Sequence, residues 1–341
     1  MKKTLYILTL EPIEKRYTKQ WYRYFKEEFS KYFDVSYING TIISDEIKTG
    51  RFLDINQTNI WKSEQVIKIS ELFNQNTVRD GDCFFFMDGW HFGLTALKYM
   101  SQLNNIKINI YAYWHAGTWD RWDFISQANL VPYVRCTEAD WLNICDRNFV
   151  ATEFHKKLIV NIFGKKLSKK ILVVGFPMDW IKEIKLLGIV PKYKEDIVVF
   201  PHRLDKEKCP EIFDSLQTYF PKYTFIKTME VTKDKKEYYE ILNKAKVVFS
   251  SSKQETFGIG TVEGLMLGCV PLVPRGLSYD ELYNPIFQYS NFAAIKQKLK
   301  YFIENYDNIT IQKHLNRNKK VIINKSNNSI KNMAKVINHG H

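Results

Sequence analysis

The feature that most constrains this chain is an alternation of short apolar runs with longer amphipathic stretches, sustained along most of its length. Apolar runs at Thr4 to Leu10, Asp34 to Ile38, Asp82 to Met87, Ile108 to Trp114, Leu130 to Arg135, Asn148 to Ala151 and Ile171 to Val174 read as strands. Helical spacing fills the intervals Tyr17 to Tyr32, Ser63 to Asn74 and Gly93 to Asn104. Strands that alternate with helices cross over to parallel neighbours, which predicts a doubly wound sheet. Val174-Gly175-Phe176-Pro177 closes this unit, and a polar stretch follows.

The pattern then restarts with a strand at Asp196 to Pro201, a helix at Cys209 to Tyr219, a strand at Tyr223 to Lys227 and a helix at Lys236 to Ala245. A strand at Val247 to Ser250, a helix at Gly258 to Leu267 and a strand at Val270 to Pro274 complete it. A chain of 341 residues is too long for one comfortable core. The expectation is α/β, with two Rossmann-like parallel-sheet domains facing across a cleft. Residues 1–175 form the first domain, 176–195 a linker, 196–310 the second domain, and 311–341 a basic helix packing back on the first.

No run approaches the roughly 18 apolar residues that span a bilayer, and the run after Met1-Lys2-Lys3 is cut short by Glu11, as suits a first strand and not a signal peptide. The five cysteines are scattered without a Cys-x-x-Cys pair. That usage predicts a reduced, cytoplasmic protein without a structural metal. The net charge is +13, and seven Lys or Arg with no Asp or Glu lie between Thr310 and His341. Smaller basic clusters occur at Lys15, Arg16, Lys19, Arg23 and Lys26 and at Lys165, Lys166, Lys169 and Lys170. Such patches either are solvated surface or attract polyanions, whether nucleic acid or an anionic membrane.

Two segments carry chemistry. Glu255 and Glu263 flank Gly258 and Gly260 directly after the apolar strand Val247 to Ser250. A helix starting near Gly258 aims its first N–H groups and positive dipole end at a site suited to a diphosphate. Glu255 then lies in the loop facing a sugar's hydroxyls, and Glu263, further into the helix, faces a ribose diol. The second segment, His202-Arg203-Leu204-Asp205-Lys206-Glu207-Lys208, follows the strand ending at Pro201. It places two cations where they neutralise a leaving diphosphate.

The strings FPHRLDKEKCPEIFDSL and SSSKQETFGIGTVEGLMLGCVPLVPRGLSYDEL, over roughly 197 to 282, resemble the carboxy-terminal domain of retaining GT-B glycosyltransferases with the Glu-x7-Glu signature. The resemblance implies that Arg203 and Lys208 bind the donor diphosphate and Glu255 the donor sugar. It also implies that Thr256, Phe257, Gly258, Ile259 and His202 line the donor site and that Glu263 meets the ribose. It further implies a UDP- or GDP-sugar donor with no metal required; the expected donor is a UDP-sugar such as UDP-glucose, and no obligate protein partner is expected.

In the amino-terminal half the first strand runs into Thr9-Leu10-Glu11-Pro12-Ile13-Glu14-Lys15-Arg16-Tyr17, where many members of that group carry a Gly-rich loop. This stretch resembles the start of phage-encoded glycosyltransferases, some of which add sugars to hydroxymethylated pyrimidines in DNA. His115, after the strand ending at Trp114, matches a family His that contacts the donor sugar; alternatively it is a satisfied structural residue. Asp88 either orients an acceptor hydroxyl or forms a turn before Gly89. Seven of the eight Trp precede residue 176, and Trp90, Trp119 and Trp122 fall in expected cleft loops, where aromatic faces hold bases or sugars. Glu11, Arg16, Asp88, Trp90 and Trp119 are the acceptor-side candidates. The expected function is sugar transfer to a hydroxymethylated pyrimidine of phage DNA in the host cytoplasm. The alternatives are transfer in cell-surface or capsular polysaccharide assembly, with peripheral membrane contact, and a non-catalytic nucleic-acid-binding protein on a transferase fold.

Overall fold

The structure is a computed structural model and describes residues 2–14, 16–43, 54–128 and 131–339. Lys15, Leu130 and the last two residues, which the sequence reading included, lie outside these. The chain divides into two compact units, one of residues 1–178 with 327–341 and the other of 179–326.

The first unit holds six parallel strands: β1 (Thr4–Leu8), β2 (Asp34–Ile38), β3 (Cys83–Phe86), β4 (Asn109–Tyr113), β5 (Arg147–Val150) and β6 (Ile171–Val173). Their order is β2-β1-β3-β4-β5-β6. β3 reads Cys-Phe-Phe-Phe and is wholly buried, because helices cover both faces of a parallel sheet and leave no face for polar residues.

One expected strand is a helix. Residues 131–135 open the helix Val131–Ile144. Its buried residues Val134, Glu138, Trp141 and Leu142 recur at helical spacing, and Pro132 sits in the first turn, where its missing N–H costs nothing. The helix expected at Ser63 to Asn74 begins earlier, at Ile55, where the Asp54 side chain caps the N–H groups of Asn56 and Gln57. This helix ties strand ends together: Trp61 Nε1 donates to Thr9 O at 2.9 Å, and Gln65 Nε2 donates to Thr9 O at 3.0 Å and Ile38 O at 2.6 Å.

The second unit holds five parallel strands: β7 (Glu195–Phe200), β8 (Thr224–Lys227), β9 (Ala245–Phe249), β10 (Val270–Pro274) and β11 (Gln288–Tyr289), in the order β11-β10-β9-β7-β8. The helix Trp180–Leu186 lies within the stretch expected as a linker. At the carboxy terminus the structure has two helices, Ile309–Asn327 and Ser329–His339. The second belongs to the first unit, where Tyr111 Oη donates to Ile337 O at 3.5 Å and Ser329 Oγ to Gly175 O at 3.4 Å.

Two glycines fix how the helix Ile259–Met266 seats on its sheet. Gly258 has φ +79°, a left-handed conformation costly for other residues. A Cβ at Gly264 would stand 2.7 Å from Val248 Cβ on β9, so the helix approaches the strand more closely than any side chain permits. Gly264→Ala is therefore expected to destabilise the protein by about 1–3 kcal/mol through overpacking, read as a lowered urea midpoint. An unchanged midpoint would contradict this packing.

Candidate active site

Both sheets reverse their winding at one point, between β1 and β3 in the first unit and between β7 and β9 in the second. At such a switch point successive connections leave to opposite faces, and a crevice opens beyond the carboxyl ends of the two strands. The two charged segments of the second half follow β7 and β9, so the topology brings them together.

The loop after β7 ends in the short 3-10 turn Lys206–Lys208 and in Cys209, which takes the left-handed conformation at φ +51°. Residues after β9 hold it there: Ser251 Oγ donates to Lys208 O at 2.9 Å and Cys209 O at 3.0 Å, and Lys253 N donates to Glu207 O at 2.8 Å. Lys208, 8% exposed, donates through Nζ to Gln254 O at 2.7 Å and to Glu255 Oε1 at 2.8 Å. Ser252 Oγ donates to the same carboxylate oxygen at 3.2 Å, and His202 Nδ1 lies 3.5 Å from it.

Burial opposes charge on Glu255, but Lys208 and His202 outweigh it and hold the carboxyl below its ordinary range. For His202 burial wins over the Glu255 carboxylate, and the imidazole is pushed down to about 4. At neutral pH Glu255 is therefore ionised against Lys208 and beside a neutral His202.

Arg203 is more committed than a free phosphate ligand. Its guanidinium contacts Asp205 Oδ2 at 2.6 Å and Glu207 Oε1 at 3.2 Å, both in its own loop. Phe257 is buried and stacks on Trp180 at 6.4 Å with the planes 7° apart. Gly258 begins the helix carrying Ile259, and Thr261 Oγ1 donates to Gly258 O at 2.8 Å while accepting from Tyr283 Oη at 3.0 Å. A Cβ at Gly260 would stand 3.0 Å from Pro201 O, so this glycine serves close packing on the end of β7.

Glu263 sits apart from the Lys208 cluster. It is 2% exposed and accepts from Lys235 Nζ at 2.5 Å, Tyr239 Oη at 2.9 Å and Tyr238 Oη at 2.8 Å, all on the helix Lys235–Lys244. Sequence reading missed these three partners. They recur at i, i+3 and i+4 on one helix face, but nothing local links that face to Glu263.

In the first unit the acceptor-side candidates follow β1 and β3, with one exception, and His115, the donor-sugar candidate, follows β4. His115 Nε2 donates to Met87 O at 2.9 Å and Nδ1 accepts from Tyr17 Oη at 3.2 Å, so both ring nitrogens have protein partners, and burial lowers its pKa. Asp88 Oδ1 accepts from Trp90 N at 3.1 Å, which closes a turn, while Oδ2 meets the buried Lys62 at 3.3 Å. Glu11 accepts from Thr58 Oγ1 at 3.0 Å, and burial raises its pKa. Arg16 stands at the N-cap position of the helix Tyr17–Phe29 without a side-chain hydrogen bond to the first-turn N–H groups. Trp90 Nε1 donates to the buried Glu138 at 2.9 Å.

The exception is Trp119. It is 4% exposed and packs against Trp114 and His155 in the core of the first unit, so it presents no open stacking face. Thr58, Lys62 and Gln65, a polar stripe on the helix Ile55–Asn74, were not anticipated. Their signal was polar residues at helical spacing on a face that apolar residues should have occupied. Among the described residues, no group of three or more His, Cys, Asp or Glu is placed to hold a metal, and no helix is long and apolar enough to cross a membrane.

Two doubly wound parallel units of this kind make up the fold of the GT-B glycosyltransferases. Sucrose-phosphate synthase from Thermosynechococcus elongatus has a similar structure, at TM-score 0.71 and 12% identity, covering 99% of this chain and 98% of that one. A UDP-forming trehalose-phosphate synthase from Burkholderia xenovorans is also similar, at TM-score 0.61 and 7% identity, over 100% of this chain and 98% of that one. In sequence, the chain is 23% identical over 172 residues to the tRNA-queuosine alpha-mannosyltransferase of Drosophila melanogaster. That match covers 40% of this chain and 46% of the relative, so the chain spans about half the length of the curated protein it matches. No protein-family model matches the chain.

The histidines predict a pH dependence. His202 takes up a proton below about 6.5 when unfolded but only below about 4 when folded. The folded chain then binds fewer protons, so this contribution to stability is present above pH 6.5 and lost as pH falls toward 4. His91 and His155 act in the same direction. Between these limits His202→Gln is expected to flatten the unfolding free energy against pH by up to about 1.4 kcal/mol per pH unit. A slope equal to that of the unmodified protein would contradict a buried, neutral His202.

Proposed function

We propose that this protein is a glycosyltransferase that moves a sugar from a nucleotide-sugar donor to a hydroxyl of a modified nucleoside in nucleic acid. The observation that carries the reading is the Lys208–Glu255 pair, held by His202 and Ser252 at the switch point of the second sheet. An ammonium and a carboxylate side by side suit a ligand with a diphosphate next to a polyol. Lys208 has used two of its three donors on Gln254 and Glu255, and the third serves a phosphate oxygen. Glu255 accepts from the sugar's hydroxyls.

Arg203 supplies the second cation, competing for the diphosphate against Asp205 and Glu207. The first-turn N–H groups of the helix Ile259–Met266, which have no intrahelical acceptors, complete the phosphate site. Glu263 meets the ribose with the lone-pair position its three protein donors leave open. The acceptor oxygen bonds to the anomeric carbon as the bond from that carbon to the phosphate oxygen breaks. The acceptor proton passes to the departing phosphate on the same face, so the configuration is retained. Charge stabilisation of the leaving diphosphate carries most of such a reaction.

UDP is the donor nucleotide this reading favours, since one structural neighbour is UDP-forming. A nucleoside acceptor is supported by the relative that acts on tRNA queuosine, and a hydroxymethylated pyrimidine of phage DNA offers the same kind of hydroxyl. The test is incubation with labelled UDP- and GDP-sugars and three acceptors: queuosine-containing tRNA, hydroxymethylpyrimidine DNA and a lipid-linked glycan. Label is expected on a nucleic acid; label on the glycan alone would overturn the acceptor reading. Lys208→Ala is expected to lower kcat by about 100-fold or more, as loss of a preorganised charge does. Near-normal turnover would remove Lys208 from the mechanism.

A further inference from the structure

Several cations of the second unit already have partners. Lys227 lies between Asp214 and Glu230, Lys246 pairs with Asp196, and Lys296 sits 4.1 Å from the centre of the Tyr219 ring. Lys194 and Lys298 donate to backbone carbonyls. The helix Ile309–Asn327 differs. Its residues Ile311, Leu315, Asn318, Ile322 and Ser326 are buried, and on the other side Lys313, Arg317 and Lys320 are exposed. None of these three pairs with a carboxylate among the described residues, whereas Lys325 further along the helix pairs with Glu281.

No Asp or Glu occurs from Thr310 to the end of the chain, so nothing on the helix neutralises the stripe. At a rise of 1.5 Å per residue the three cations stand about 6 Å and about 4.5 Å apart along the axis. Between and beyond them the exposed side chains include the amides Asn316 and Asn324. After the first residue of the helix, Val321, at 41%, is its single exposed large apolar residue. A helix that lies in a membrane surface needs an apolar face with Trp, Phe or Leu as well as cations, and this face has none. Cations at short intervals interleaved with hydrogen-bonding amides suit a sugar–phosphate backbone.

We infer that the Lys313–Arg317–Lys320 face of this helix binds the phosphate backbone of a nucleic acid. The inference deepens the acceptor reading above and rests on it for the choice of nucleic acid as the polyanion. It also adds a feature that the site at the end of β7 and β9 does not contain, a contact that is independent of sequence and of the modified nucleoside.

The test is binding of the full chain to fluorescently labelled, unfractionated tRNA without donor, followed by anisotropy from 50 to 200 mM salt. Replacing Lys313, Arg317 and Lys320 by Gln together is expected to make the slope of log affinity against log salt shallower by about 2 to 3, because each phosphate contact releases about 0.7 to 0.9 counterion. Over that salt range the three contacts account for about a 20- to 40-fold change in affinity. A control replaces Lys165, Lys166 and Lys169, exposed in the first unit, by Gln and removes the same net charge. It should leave the slope unchanged.

An unchanged slope in the helix variant, an equal change in the control, or binding to phosphatidylserine vesicles without binding to tRNA would each overturn the inference. Because no donor is present, the measurement is independent of transfer. A chain that glycosylates no nucleic acid yet keeps the slope difference supports this face and refutes the acceptor reading alone.

Discussion

The second unit depends on one buried ion pair, Lys208 with Glu255. Taking an ammonium and a carboxylate out of water is costly, and their attraction offsets that cost only when further hydrogen bonds satisfy both groups. Here Gln254 O and Ser252 Oγ do so, with His202 beside them. Removing either partner leaves an uncompensated buried charge, a defect that typically costs about 3–5 kcal/mol. The pair joins the loops that follow β7 and β9, and Ser251 and Lys253 lock the same two loops through the backbone. On the proposed reading a donor diphosphate meets charges already oriented, the arrangement that stabilises a leaving group without reorganisation.

Much of this was legible in the sequence because parallel strands buried on both faces announce themselves as continuous apolar runs. Cys83 to Phe86 and Val247 to Phe249 are examples. The segment from 131 was misread because Val-Pro-Tyr-Val alternates like a strand, and only the later Glu138, Trp141 and Leu142 reveal the helical period. That Arg203 and Lys208 follow one strand and Glu255 another was legible in the sequence. Their mutual arrangement was not: that Lys208 would spend itself on Glu255, and Arg203 on Asp205 and Glu207, depends on loop geometry that spacing does not encode. The donors to Glu263 lie 24 to 28 residues away and come from a different helix.

The first unit repeats the same topology with different chemistry at its switch point. There the helix Ile55–Asn74 turns Thr58, Lys62 and Gln65 toward the ends of β1, β2 and β3 and engages Glu11, Asp88 and two strand-end carbonyls. Burial lowers the pKa of His115, and Met87 O and Tyr17 fix its tautomer. Its neighbour Trp119, an aromatic residue in a loop after a strand, turned out to be core. An aromatic residue in such a loop packs inward unless something polar draws it out, and sequence alone does not reveal which occurs.

The central claim is that the Lys208–Glu255 crevice takes the diphosphate of a nucleotide donor. Titration calorimetry of UDP and of GDP against the unmodified protein and against Lys208→Met tests it most directly. Met keeps the length and apolar stem of the side chain while removing the charge. The account predicts that one nucleotide binds the unmodified protein and that its affinity falls by about 10-fold or more in the variant, as expected for losing a charge-assisted hydrogen bond of roughly 1.5–3 kcal/mol. Equal affinity in the two proteins, with the variant folded, would contradict it.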